Sequence, residues 1–285
     1  MKNNLREFGK HFFYRMLGSY RYEFFRFFLA HYKVPDLDSP CTFNEKLAWR
    51  KICDTNPKFA TIADKYLARQ FVSAKIGNAN LSKIYYCGDY VEEINFNELP
   101  ESFVIKATHG SGPGFISFIK NKHQFGKVKL KTTVIELLKN KYGTITNEWW
   151  YTKIRPRVII EEMLNDETFG IPVDYKFYIF HGKVKFIQVD YFRFKDHSRT
   201  FYDKEWHPQE FTLKYPLGIL TAKPKLHAEM ISIAECLGKD FDFIRVDLYC
   251  VNDERIVFGE LTLTPEAGWG KFYPVKWDSI FGSFW

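Results

Sequence analysis

A β-rich run, Phe103-Val-Ile-Lys-Ala107, leads through Thr108 into His109-Gly-Ser-Gly-Pro-Gly114, and a second β-rich run follows at once over 115–119. A strand, a glycine loop and a strand in such close succession confine this part of the chain to a sheet with an exposed turn at its edge. Consecutive small residues let backbone N–H groups converge on an anion, and Lys106, three residues ahead of the loop, adds a point charge for phosphate oxygens. No Gly-Lys-Ser/Thr closes the loop, which excludes a Walker A site, and a strand rather than a helix follows, which excludes the dinucleotide fingerprint. By itself the loop fits either a phosphate site or an ordinary glycine-rich hairpin.

Around this feature the apolar periodicity predicts a mixture of helices and strands. Residues 1–33 read as one helix, with Phe12, Phe13, Met16, Tyr20, Phe24, Phe27 and Phe28 at three- and four-residue spacing and Arg15, Arg21 and Arg26 between them. Two readings stay open: an aromatic face packed on the body, or a basic amphipathic surface for a membrane or an anionic polymer. After a break at 35–40, helices are expected at 45–52, with Thr42 or Asn44 as cap, and at about 61–76, 132–141 and 222–238. Strands are expected at 157–162, 175–180, 183–190, 243–250 and 256–263, with turns at His181-Gly182 and Asn252-Asp253.

Composition narrows the function classes. The chain has 285 residues, 46% hydrophobic and 19% aromatic, enough for one large or two small domains with real cores. Charge interrupts every apolar stretch before the roughly 18 to 20 residues that a membrane span needs. Lys2, Arg6 and Lys10 precede no apolar signal region, so a cytoplasmic protein is expected. Cys41, Cys53, Cys87, Cys236 and Cys250 show neither CxxC nor Cys/His spacing, which argues against zinc and against a disulfide framework. The net charge of +7 favours an anionic partner without choosing among nucleotide, acidic glycan, nucleic acid and membrane surface.

Further candidates lie downstream. Arg245 and Asp247 share one strand face and Glu260 and Thr262 share the next, so hairpin pairing brings Asp247 and Glu260 together as two hard oxygen ligands suited to Mg²⁺. The alternative is a solvated carboxylate with Arg245 and Glu260 as a surface ion pair. Asp174 and Lys176 alternate on a strand ahead of Lys183, Lys185, Arg193 and Arg199, either a solvated face or a cationic lining. The strand through Glu161, Glu162 and Met163 into Leu164 can present backbone groups to an adenine edge. No Ser/His/Asp or Cys/His constellation suggests a protein nucleophile.

The order of these features resembles the ATP-grasp superfamily. More closely, Phe43-Asn-Glu-Lys46, Ala63-Asp-Lys-Tyr66, Thr108-His-Gly-Ser-Gly112, Asp174-Tyr-Lys-Phe177, Phe186-Ile-Gln-Val-Asp190, Phe201-Tyr-Asp203 and Phe258-Gly-Glu-Leu-Thr262 resemble the TupA-like branch, associated with teichuronopeptide and other cell-surface polysaccharide synthesis. The resemblance implies an α+β ATP-grasp fold, two α+β subdomains clamping ATP between antiparallel sheets after a helical N-terminal region. The expected division is 1–60, 61–163 and 164–285.

It further implies ATP bound by Lys65, Lys106, His109, Gly110, Ser111 and Gly112 at the phosphates, by Glu161, Glu162, Met163 and Leu164 at adenine, and by Asp174. Mg²⁺ falls to Asp247, Glu260 and Thr262, and the transfer site to Lys176, Arg193, Arg199 and Arg245. The implied reaction joins a carboxylate, of a uronic acid or an amino acid, to an amine through an acyl phosphate. It takes place with no nucleic-acid partner, at most peripheral to membrane-bound polysaccharide machinery. The chain departs from the family pattern at Thr262, where asparagine is usual, at Glu266, where a small residue is, and at Pro113-Gly114. A sugar kinase, a glycosyltransferase (although no convincing DxD motif is present) and a non-catalytic basic binding module are the competing classes.

Overall fold

A computed structural model describes residues 2–168, 170–191 and 197–285. Helix α1 (Lys2–His31) is not the straight rod that the apolar spacing predicts. Gly18 takes φ 71° and ψ 169°, a conformation essentially reserved for glycine. The chain doubles back there, so that Phe13 meets Phe25 and Tyr14 meets Tyr22, with ring centroids 5.5 and 5.2 Å apart.

Of the two candidate caps, Thr42 starts α2 (Phe43–Ile52): its hydroxyl accepts from the Glu45 N–H while the Glu45 carboxylate accepts from the Thr42 N–H. The helix expected at 61–76 is two helices, α3 (Lys58–Ala63) and α4 (Lys65–Ile76). Asp64 leaves the helical region between them and turns its carboxylate onto the N–H groups of Tyr66 and Leu67.

The first sheet is built from β1 (Ile84–Gly88), β2 (Phe103–Ala107), β3 (Ile116–Ile119) and β4 (Val158–Glu162) in the order β1-β4-β2-β3, every neighbour antiparallel. The short α5 (Lys122–Phe125) and then α6 (Lys127–Lys139) lie between β3 and β4; α6 starts earlier than expected because Gly126, at φ 78°, separates it from α5. Leu130, Val134 and Leu137 of α6 cover Phe103, Ile105, Val158 and Ile160, the inward-facing residues of β2 and β4. Strand alternation turns Lys106 and Glu161 to the other face.

The second sheet follows with β5 (Val173–Phe180), β6 (Lys183–Tyr191), β7 (Ser198–Asp203), β8 (Pro208–Gln209), β10 (Phe243–Val251) and β11 (Arg255–Thr262), in the order β11-β10-β5-β6-β7-β8. A small ribbon pairs β9 (Thr212–Leu213) with β12 (Phe272–Tyr273). Both expected hairpins form: His181 and Gly182, at positive φ, make the two-residue turn between Phe180 and Lys183 as type I′ requires, and Asn252 and Asp253, also at positive φ, lie in the three-residue loop between Val251 and Arg255. Helix α7 (His227–Gly238) starts later than expected, since Pro224 disfavours helical backbone at the residue before it. Met230, Ala234 and Leu237 of α7 pack on Phe177, Ile179, Ile244 and Val246.

The opposite face of this sheet changes character along its strands. At one end Tyr178, Phe180, Phe186, Phe201 and Phe243 pack against Phe43 of α2 and Phe281 of α8 (Lys276–Ser283). At the other end the same face carries Asp174, Lys176, Asp190, Arg199, Arg245 and Asp247, all buried. Buried charges need partners, and their pairing defines the candidate site.

Candidate active site

Asp247 stands at the centre of the ionic half-face. It lies opposite Glu260 on β11 and opposite Lys176 on β5. Arg245 holds both of its oxygens, with Nε 2.7 Å from Oδ1 and Nη2 2.7 Å from Oδ2, and Lys176 Nζ lies 2.6 Å from Oδ2. Lys176 also donates to Asp174. Arg245 Nη2 reaches Thr262 Oγ1 at 3.0 Å and Glu260 Oε1 at 3.3 Å. The expected pairing of Asp247 with Glu260 is therefore present, and the alternative of a solvated surface pair is not, because Arg245 and Asp247 are both buried. Glu260 is the member that opens to solvent, its side chain 36% exposed.

A second group comes from the first sheet and from the start of α4. Lys106 on β2 pairs with Glu161 on β4, which also accepts from Ser82 Oγ at 2.7 Å. Burial works against the Lys106 charge, yet the Glu161 carboxylate outweighs it and raises the Lys106 pKa. Lys65, the first residue of α4, donates to the carbonyl oxygen of Gly110 and so fastens the glycine loop. Burial and then the Lys106 charge lower the Lys65 pKa, while Glu260 opposes them. Glu260 favours the charged form of both lysines, Lys106 on β2 and Lys65 at the start of α4.

The glycine loop itself is tightly built. A Cβ on Gly110 would sit 2.3 Å from the Phe115 ring, and Gly112 has φ 90°. His109 Nε2 lies 3.0 Å from the Asn140 carbonyl oxygen, and burial lowers the ring's pKa. Ser111 is half-buried beside them. Of the adjacent glutamates, Glu161 turns into the cleft wall, whereas Glu162 turns away to the Lys83 N–H at 3.0 Å and to Arg255 at 2.7 Å. Met163 and Leu164, both half-buried, leave the end of β4.

Arg199 belongs to a separate group two strands away. Its Nε is 2.6 Å from Asp190 Oδ1, and its Nη1 reaches Glu266 Oε1 at 3.2 Å. Glu266, the departure noted in the sequence, also pairs with Lys214 at 2.6 Å. It completes a charge network that a small residue would leave open. Arg193 lies outside the described residues.

The sequence reading missed a third set. Thr264, just past β11, donates to the buried Glu148 carboxylate. Tyr142 and Tyr151 meet edge to face at 4.7 Å, and Tyr142 also touches Phe115 of the glycine loop at 5.5 Å. Burial first, then Glu148 and Glu260, pushes both phenols well above their usual range. The aromatic run Trp149-Trp-Tyr151 was the sole sequence signal there, and it belongs to no motif.

Among the described residues no cluster of three or more His, Cys, Asp or Glu could hold a metal unaided. Asp247 and Glu260 nevertheless suit Mg²⁺, which is commonly held by one or two carboxylates together with substrate phosphates. Thr262 adds a neutral oxygen. Both Asp247 oxygens already accept from Arg245 and Lys176, so Glu260, open to solvent, is the carboxylate placed to meet a cation brought in with a nucleotide.

The sequence model of the family described as TupA-like ATPgrasp matches residues 45–285. The chain belongs to the TupA-like ATP-grasp family. Its α+β architecture, with an N-terminal helix ahead of two antiparallel sheets, is the ATP-grasp fold that the family implies. Similar solved structures include a D-alanine-D-alanine ligase from Coxiella burnetii at 11% identity and TM-score 0.42, covering 71% of this chain and 48% of that one. The VanG D-Ala:D-Ser ligase from Enterococcus faecalis shows 17% identity and TM-score 0.42 over 74% of this chain and 54% of that one. An N5-carboxyaminoimidazole synthetase from Staphylococcus aureus shows 9% and 0.39 over 71% and 44%. This ATP-grasp chain spans about half the length of those structures. No curated protein sequence matches it.

Proposed function

We propose that the chain is an ATP- and Mg²⁺-dependent carboxylate–amine ligase that works through an acyl phosphate. The observation that carries this reading is the pairing of Lys65 with the glycine loop at Gly110 and of Lys106 with Glu161, together with the register-paired carboxylates Asp247 and Glu260 on the second sheet. Phosphoryl transfer asks chiefly for positioning and neutralisation of charge, and this arrangement supplies both.

In this reading Lys65, Lys106 and the backbone from His109 to Gly112 take the phosphates. The strand end at Glu161, Glu162, Met163 and Leu164 takes adenine, and Asp174 takes the ribose or the triphosphate. Glu260 and Asp247, with Thr262 beside them, would hold Mg²⁺, which would supply neutralisation of charge on the phosphates. Lys176, Arg245 and Arg199 line the path of the acceptor. The acceptor carboxylate forms an O–P bond to the γ-phosphorus as the bond to ADP breaks. The amine then forms a C–N bond as phosphate leaves, and it gives up a proton.

The cationic lining suits an acidic acceptor, and a uronic acid or amino acid destined for a cell-surface polysaccharide meets that description. The need for ATP puts the reaction in the cytoplasm. Among the described residues no helix is long and apolar enough to cross a membrane. The test is ADP release with uronic and amino-acid carboxylates, each with and without an amine, followed by mass analysis of the product. Amide formed in step with ADP supports the ligase. A phosphorylated sugar formed without any amine would make the chain a kinase, and no nucleotide turnover or binding at all would remove the reading.

A further inference from the structure

The doubled-back helix α1 leaves apolar surface in water on a scale that nothing in the active site explains. Phe12 is 55%, Met16 59% and Tyr20 55% exposed, and Phe28, Leu29 and Tyr32 join them. Phe12 and Met16 are one helical turn apart, and Tyr20 follows just past the bend at Gly18. Between the two halves of α1 a groove of about 380 Å³ is lined by Phe13, Phe25, Leu29 and Trp269, with Lys10 and Arg26 at its sides.

Over residues 9–31 the outward charge has one sign. Arg15 and Arg21 are exposed, and among the described residues neither makes an ion pair. The one acid of residues 9–31, Glu23, is fully buried against Lys51 and contributes nothing outward. Contiguous exposed apolar side chains mark an interaction site, and interleaved arginines choose its partner. A second copy of the chain would set arginine against arginine. A nucleic acid would satisfy the arginines but leave Phe12, Met16 and Leu29 against its phosphates. An anionic lipid surface satisfies both sets at once.

We propose that the hairpin of α1 docks on an anionic lipid surface, with Phe12, Met16 and Tyr20 entering the interfacial layer and Arg15 and Arg21 meeting acidic headgroups. The same hairpin is fastened to the loop that follows β11: Arg26 stacks on Trp269 at 3.9 Å, and His31 Nε2 lies 3.1 Å from the Gly268 carbonyl oxygen. Docking therefore sets the orientation of that loop, and of the cleft beside it, relative to the lipid surface. This inference does not depend on the ligase reading.

The test is flotation of the full-length chain with phosphatidylglycerol and with phosphatidylcholine vesicles at low and high salt. Partition into phosphatidylglycerol vesicles is expected to exceed that into phosphatidylcholine at least tenfold, on the order expected of a few basic residues near an anionic leaflet, and to fall with salt. Arg15→Gln/Arg21→Gln should lower it roughly twenty-five-fold, at about fivefold per arginine. Phe12→Ser/Met16→Ser should lower it as well, with the urea unfolding midpoint unchanged, because all four side chains are exposed. Equal partition into both lipids, or none into phosphatidylglycerol, overturns the proposal. So does self-association that persists in place of vesicle binding, which would assign the face to a second copy, or salt-sensitive retention on duplex DNA without vesicle binding.

Discussion

Lys51 and Glu23 meet at 2.6 Å with neither side chain exposed at all. The pair joins α2 to α1 and reaches further. Lys51 also donates to the Ala267 carbonyl oxygen at 2.7 Å, and Glu23 accepts from Trp269 Nε1 and Asn147 Nδ2, both at 3.2 Å. One buried ion pair thus fixes the two loops that border the cleft, 143–148 and 264–269. In the second of these Glu266 and Ala267 take φ 52° and 55°, conformations that persist only where the surroundings hold them.

Removing one partner leaves the other charge buried and alone, so Lys51→Met is expected to destabilise the protein by about 3–5 kcal/mol. The double variant Lys51→Met/Glu23→Leu should lose less than the two single variants together, since no orphaned charge remains. Urea denaturation of the four proteins checks this. A Lys51→Met loss under about 1 kcal/mol would show that water reaches the pair.

The glycine loop predicts a graded response. Gly112→Ala forces a side chain onto a backbone at φ 90°, a strain of about 1–3 kcal/mol. Gly110→Ala meets a different obstacle, the Phe115 ring at 2.3 Å. Phe115 cannot simply give way, because His109 and Tyr142 pack against it. The loop should shift instead, weakening ATP-analogue binding measured by calorimetry. Gly110→Ala/Phe115→Leu should recover part of that binding, and failure to do so would place the clash elsewhere.

What was legible in the sequence divides along physical lines. Strand alternation carried the Asp247–Glu260 register, and the positive-φ preferences of Asn, Asp and Gly carried both hairpins, because these are local rules. The family motif Phe43-Asn-Glu-Lys46 was recognisable, but its purpose was not: Asn44 binds Asp278 at 3.0 Å and Lys46 reaches the Trp285 carbonyl oxygen, which ties α2 to the distant α8. Glu148 was invisible because its partner Thr264 is 116 residues away. The bend in α1 was missed although Gly18 was in plain view, since apolar spacing continues through it and periodicity cannot see a break in φ and ψ. Asp190 appeared as a motif residue, and only the fold showed that it anchors Arg199.

That anchor gives a pH prediction. Burial opposes ionisation of Asp190, but His197 and the Arg199 guanidinium outweigh it and hold the carboxyl well below the usual carboxylate range. A group with a depressed folded pKa contributes stability that is fully present above the unfolded value, about 3.9, and is lost as pH falls through the folded value. Wild type should therefore lose stability below about pH 4. Asp190→Asn should be less stable at neutral pH and flatter across that acid range. Urea midpoints between pH 2.5 and 7, as a rough experimental span, report the difference, and parallel curves for the two proteins would contradict it.

The last prediction concerns which carboxylate best reports on Mg²⁺. Asp247 is buried and held by both Arg245 and Lys176, so Asp247→Asn disturbs three charges and is expected to cost stability whether or not a metal binds. Glu260 lies opposite it, is partly open to solvent, and shares Arg245 through a longer 3.3 Å contact. Glu260→Gln should fold almost as well as wild type. A non-hydrolysable ATP analogue at about a hundredfold over its dissociation constant stabilises a protein by about 2.7 kcal/mol. In wild type that stabilisation should grow when Mg²⁺ is added, and in Glu260→Gln the Mg²⁺-dependent part should vanish while the Mg²⁺-independent part stays. Thr262→Ala, which removes only a neutral oxygen, should keep most of the Mg²⁺ response. Should Glu260→Gln respond to Mg²⁺ as wild type does, the cation would not sit between the paired strands, and Asp247 would be a clamp for Lys176 and Arg245 instead of a metal ligand.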